Sequence, residues 1–103
     1  MGVYCVTNSR NGKILLGSAL NVRGILNSIL FQLQGSSYPN EALQKDFNAQ
    51  EEADFSFKVV DYLKPKDDLK YDYRADLKAL EELWLEKLQP YGEAGYNIKK
   101  TAR

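Results

Sequence analysis

Apolar residues change their spacing three times along the chain, and each change marks an element. From Gly2 to Gly17 they come in two short runs, Gly2-Val3-Tyr4-Cys5-Val6-Thr7 and Lys13-Ile14-Leu15-Leu16-Gly17, the first rich in β-branched and aromatic residues. Asn8-Ser9-Arg10-Asn11-Gly12 separates them, and Asn-Gly is a strong hairpin signal because both residues tolerate positive φ. From Val22 the spacing becomes helical. Val22, Ile25, Leu26, Ile29, Leu30 and Leu33 predict a helix over Val22–Gln34, with Asn21 or Ser18 as its cap. Gly35-Ser36-Ser37-Tyr38-Pro39 breaks it, and Pro39 suits the first turn of a shorter helix, Asn40–Gln50, with Leu43 and Phe47 inward.

Beyond a charged connection, Glu51–Asp54, Phe55–Leu63 alternates as a strand. Lys64-Pro65-Lys66-Asp67-Asp68 reads as a polar loop. The last helix is predicted from about Tyr73 to Leu88, with Leu77, Leu80, Glu81, Trp84, Leu85 and Leu88 on one stripe. Pro90 and Gly92 end it, Gly95-Tyr96-Asn97 forms a short closing stretch, and 98–103 reads as a frayed tail. The order β-β-α-α-β-α describes one α+β domain over residues 1–103.

Composition narrows the chemistry more than the fold. Fourteen basic residues balance fourteen acidic ones, with the acid concentrated in the second half, which counts against a strong DNA binder. One cysteine excludes an internal disulfide framework, and Cys5, alternating with Val3, reads as a small buried hydrophobe. The chain has no histidine, which removes Ser–His and Cys–His catalysis, and no cluster has zinc-ligand spacing. No apolar run approaches the ~20 residues of a spanning helix, and Met1-Gly2 leads straight into a strand. The expected location is the cytoplasm, with no membrane contact.

The hairpin carries a resemblance. Gly2-Val3-Tyr4 and Leu15-Leu16-Gly17, with Asn11-Gly12-Lys13 between them, resemble the paired motif of the GIY-YIG nuclease superfamily, although the second half has lost its tyrosine. Gly17-Ser18-Ala19, Asn40, Leu43–Phe47, Phe55-Ser56-Phe57, Leu80–Leu85 and Gly95-Tyr96-Asn97 follow in the family's order. The chain looks closest to the small stand-alone bacterial or phage-type members rather than to the excision-repair subunit or the homing endonucleases. The resemblance implies a three-stranded antiparallel sheet flanked by helices.

It also implies an activity: DNA endonuclease chemistry, a phosphodiester hydrolysis assisted by one divalent cation, Mg²⁺ or Mn²⁺. By resemblance Tyr4 and Glu81 are the retained catalytic positions, with Glu81 the metal ligand, and Asn97 is retained beside Tyr96. Leu15, Ile25 and Ile29 stand where the family has its second Tyr, its Arg and its His. Arg23, two residues before Ile25, points about 200° around the helix axis and does not stand in. The expectation is a nuclease-like protein whose activity is lost or greatly weakened and which acts as a binding module, with an active endonuclease as the alternative and no cofactor if inactive.

Each of these residues also has a plainer reading. Glu81 joins Glu82 and Glu86 on a solvated acidic face, Tyr4 is a strand tyrosine, Trp84 is a core anchor, and Lys13, Arg23 and Lys45 are scattered surface charges. Leu15, Ile25 and Ile29 either close the former pocket or form an exposed apolar patch for a protein partner or a homodimer. Weak nucleic-acid binding is the other partner expectation.

Overall fold

The computed structural model describes residues 1–64 and 70–97. Pro65, Lys66, Asp67 and Asp68 of the expected loop, and the 98–103 tail, lie outside the described residues. Strand β1 (Gly2–Asn8) pairs antiparallel with β2 (Ile14–Ala19), from Gly2 opposite Ala19 to Thr7 opposite Ile14. Each strand runs further than its apolar run suggested, because backbone pairing continues through Asn8 and past Gly17. The turn differs from a two-residue Asn-Gly loop. Gly12 alone takes positive φ, at 76°, and its N–H donates to the Asn8 carbonyl at 2.8 Å. Asn11 contributes its side chain instead, Oδ1 accepting from the Lys13 N–H at 2.9 Å.

Helix α1 (Val22–Gln34) falls where the periodicity places it. Asn21 is the cap, its Oδ1 accepting from the Gly24 N–H at 3.0 Å. Helix α2 (Glu41–Ala49) is capped by Asn40, so Pro39 precedes the cap and does not occupy the first turn. A side-chain cap satisfies the Leu43 N–H at 3.1 Å, which proline at that place could not do. The charged connection contains a short 3₁₀ turn, Glu52–Asp54. Strand β3 (Phe55–Tyr62) then pairs antiparallel with the other edge of β1, giving the order β2-β1-β3 with a register shift between Val3 and Tyr4. Helix α3 (Arg74–Leu88) follows, and a second 3₁₀ turn spans Gly92–Ala94. No helix among the described residues is long and apolar enough to cross a membrane.

The sheet carries a core on each face. Val6 and Leu15 face Leu26, Ile29 and Leu33 of α1 and Leu43 of α2, with Phe55 and Tyr96 completing that cluster. Val3, Cys5 and Leu16 face α3, against which Leu80, Trp84, Leu85 and Leu88 are packed. Burying one such side chain contributes about 1.5–3 kcal/mol. This arrangement bears on the two readings of the aliphatic positions. Leu15 and Ile29 are 7 % and 2 % exposed, because α1 packs its Ile29 face on the hairpin, while Ile25 is half-buried against the same cluster. Leu15 and Ile29 offer no patch to a partner or to a second copy.

Two polar ties fix the ends of the hairpin. At the turn, Asn8 is fully buried; its Nδ2 donates to Gln50 at 2.8 Å and to the Tyr96 hydroxyl at 2.9 Å, and its Oδ1 accepts from Gln50 at 3.0 Å. Tyr96 in turn donates to Asp46 at 2.7 Å. Along β2, the closing stretch lies beside the strand. Tyr96 N–H donates to the Ile14 carbonyl at 2.8 Å, and the Asn97 amide both accepts from Leu16 N–H and donates to Leu16 carbonyl, each at 2.8 Å.

Candidate functional site

Tyr4 lies on the α1 face of the sheet, directly across from Gly17. Its ring crosses β2 at that point, and a Cβ on residue 17 would collide with the phenol oxygen. Glycine is therefore what lets the hydroxyl reach the strand's edge. The next residue, Ser18, donates its hydroxyl to one carboxylate oxygen of Glu81, which α3 brings in from the other side of the sheet. Tyr38, in the α1–α2 connection, packs on the same core as Tyr4. Its backbone is held by Gln44, whose Oε1 accepts from the Tyr38 N–H at 2.9 Å while its Nε2 donates to the Leu33 carbonyl at 3.0 Å.

Tyr4, Tyr38, Ser18 and Glu81 thus converge from four segments, with Leu15 and Ile25 in the hydrocarbon beneath. Glu82 and Glu86 are exposed, whereas Glu81 is half-buried, so Glu81 is set apart from the solvated acidic face. Among the described residues no buried side-chain polar atom lacks a partner. The Tyr4 and Tyr38 hydroxyls and the second Glu81 oxygen make no hydrogen bond among the described residues, and so they face solvent there.

Burial pushes the Tyr4 phenol up to about 12, with nearby Tyr38 and Glu81 adding to the shift. Burial also raises Tyr38. Tyr4 is a neutral phenol at physiological pH. An unfolded tyrosine loses its proton near 10, so between roughly pH 10 and 12 the folded chain holds a proton that the unfolded chain has released. The stability tied to Tyr4 is complete below pH 10 and is lost as pH rises toward 12, by about 2 kcal/mol. Urea unfolding at pH 9 and pH 11.5, wild type against Tyr4→Phe, checks this: the variant is expected to lose less stability over that interval.

No family model matches the chain, and no curated protein matches it. Two solved structures do. The catalytic domain of the homing endonuclease I-TevI superimposes with a TM-score of 0.76 at 21 % identity, covering 96 % of this chain and 98 % of that one. A point mutant of the catalytic domain of intron endonuclease I-TevI gives 0.72 at 21 % identity, covering 98 % and 95 %. The chain has the GIY-YIG nuclease fold.

On this GIY-YIG fold the expected site residues divide. Tyr4 and Glu81 come together; Leu15 and Ile29 are core, and Ile25 packs at its margin. Arg23 donates to the Tyr62 hydroxyl at 3.2 Å, Lys13 sits 5.8 Å over the Tyr96 ring, and Lys45 is exposed on α2. No hydrogen bond or ring contact holds any of these three cations on Tyr4, Tyr38 or Glu81. Trp84 packs on the α3 core, its Nε1 donating to Asp61 at 3.0 Å and Lys87 lying 4.9 Å over its ring. Neither Ser18 nor Tyr38 is among the site residues that the sequence indicates. Ser18 follows the second motif directly, which is a usable signal; Tyr38 sits in a Gly-Ser-Pro break that carries none.

Glu81 is the carboxylate that could hold Mg²⁺ or Mn²⁺ here, and it offers such an ion few protein ligands. Glu81 is one carboxylate with one oxygen committed to Ser18, the phenols are neutral, and no group of three or more His, Cys, Asp or Glu among the described residues is placed to hold a metal. A hard divalent ion with a single protein carboxylate depends on a second ligand or a substrate phosphate.

Proposed function

We propose that this GIY-YIG-fold chain is a binding module whose endonuclease activity is lost or greatly weakened. One observation carries the reading. Where the resemblance expects Tyr, Arg and His, this chain has Leu15, Ile25 and Ile29, two of them buried in a packed core. Phosphodiester cleavage needs a base near the attacking water and donors for the charge that develops on phosphorus. Tyr4 and Glu81 remain, but Tyr4 supplies a neutral hydroxyl and, among the described residues, no cation is held beside Glu81. Losing one transition-state donor lowers turnover by roughly a hundred- to a thousand-fold, and three such losses leave little.

The alternative, a divalent-metal-dependent DNA endonuclease using Tyr4 and Glu81, is favoured by the Ser18 contact that fixes Glu81 beside Tyr4. A nicking assay on supercoiled plasmid with Mg²⁺ or Mn²⁺ separates the two. The expected result is no cleavage above background for the wild type. Cleavage that disappears in Glu81→Ala would establish the alternative.

A further inference from the structure

We infer that the solvent-facing polar groups of Tyr4, Tyr38 and Glu81 together bind the guanidinium of an arginine side chain presented by a partner polypeptide. The inference rests on the reading that the nuclease pocket has been relined, and it names what the relined pocket takes. Its basis is the balance of hydrogen-bonding groups. The second Glu81 oxygen and the hydroxyls of Tyr4 and Tyr38 have no hydrogen-bond partner among the described residues and are open to solvent there. All three accept hydrogen bonds, and one of them carries a full negative charge.

Charge points the same way. Among the described residues no basic side chain is held on these groups, and none of those residues compensates the carboxylate. A phosphate entering without a cation meets like charge at close range. At 4 Å that repulsion runs from about 1 kcal/mol in bulk water to about 4 kcal/mol near a protein surface. For a guanidinium the same figures are attractive.

Shape and order favour arginine among cations. The planar guanidinium forks onto a carboxylate and also stacks on aromatic rings, and the rings of Tyr4 and Tyr38 both lie near this place. Ser18 already orders Glu81, so little side-chain freedom is lost on binding. Half-buried Ile25 supplies apolar surface for the methylene stem. A partner polypeptide supplies such a side chain; inorganic anions and a bare metal ion are the competing occupants.

The test is an amide NMR titration of the full-length chain with blocked arginine amide, blocked lysine amide, inorganic phosphate and Mg²⁺, each alone. Arginine amide is expected to shift Tyr4, Gly17, Ser18 and Glu81 saturably, with roughly millimolar affinity, lysine amide more weakly, and phosphate and Mg²⁺ not at all. Glu81→Gln is expected to weaken arginine binding at least about tenfold, and Tyr4→Phe, which keeps the carboxylate, by less. Arginine binding that is absent, unchanged in Glu81→Gln, or outdone by phosphate or Mg²⁺ overturns the inference. Plasmid nicking by a chain that still binds arginine amide would remove the loss of activity and leave this site standing. Absence of both nicking and arginine binding would remove this site alone.

Discussion

Replacing Ile29 by histidine is expected to destabilise the chain by about 3–5 kcal/mol. Ile29 is 2 % exposed and touches a cluster built from both strands of the hairpin and from α1 and α2. Histidine removes aliphatic contact and brings two ring nitrogens into a cluster made mostly of aliphatic and phenylalanine side chains. A domain of this size has about 5–15 kcal/mol in total, so the loss is a large part of it. Urea unfolding measures it directly. A loss below about 1 kcal/mol would mean that α1 does not cover the hairpin as described. Putting a family-like histidine back is thus opposed by folding itself, whereas Ile25, half-buried at the margin, faces a smaller barrier to polar replacement.

Asn8→Ala is expected to cost about 2–4 kcal/mol through a different mechanism. Asn8 is fully buried yet fully satisfied, bonding Gln50 through both ends of its amide and Tyr96 through Nδ2, while its Oδ1 also accepts from the Arg10 N–H at 3.0 Å. Alanine withdraws all four bonds at once and leaves the Gln50 amide with only a 3.5 Å contact to Asp54. The expected signature is local as well as global: faster amide exchange over Ser9–Lys13, which this hub ties to α2 and the 3₁₀ turn. Slow exchange there in a destabilised variant would place the hub's contribution elsewhere.

Local signals were read well and distant ones were not. The first helix could be bounded to the residue, because a six-position apolar stripe, an Asn cap and a terminal glycine all agree there. The start of α2 was misplaced because Pro39 looks like a first-turn proline until Asn40 is seen capping Leu43 and reaching the Tyr96 carbonyl at 2.7 Å. The hairpin loop was read as an Asn-Gly turn, yet its shape is set by Asp46, Gln50 and Asp54, contacts made 35 to 45 residues away. Both 3₁₀ turns were missed for the same reason: three residues carry no period.

The site divides along the same line. Tyr4, Glu81 and the hydrocarbon substitutions were legible through the resemblance, each from its own short motif. That Ser18 reaches Glu81 across 63 positions depends on α3 packing at the β2 side of the sheet, which no local pattern encodes. Leu15, Ile25 and Ile29 left two readings open, surface or interior, since helical spacing cannot say what covers a stripe. The packing of α1 against the hairpin buries Leu15 and Ile29.

The Asn97 amide occupies both main-chain groups of Leu16 that a neighbouring strand would otherwise seek, and Tyr96 takes the carbonyl of Ile14. A terminal strand left bare invites foreign β-structure to add on, the usual route to uncontrolled association. Here a side chain imitates a peptide unit and seals the flank, so two residues close to the end of the described chain guard the whole sheet against growth in that direction.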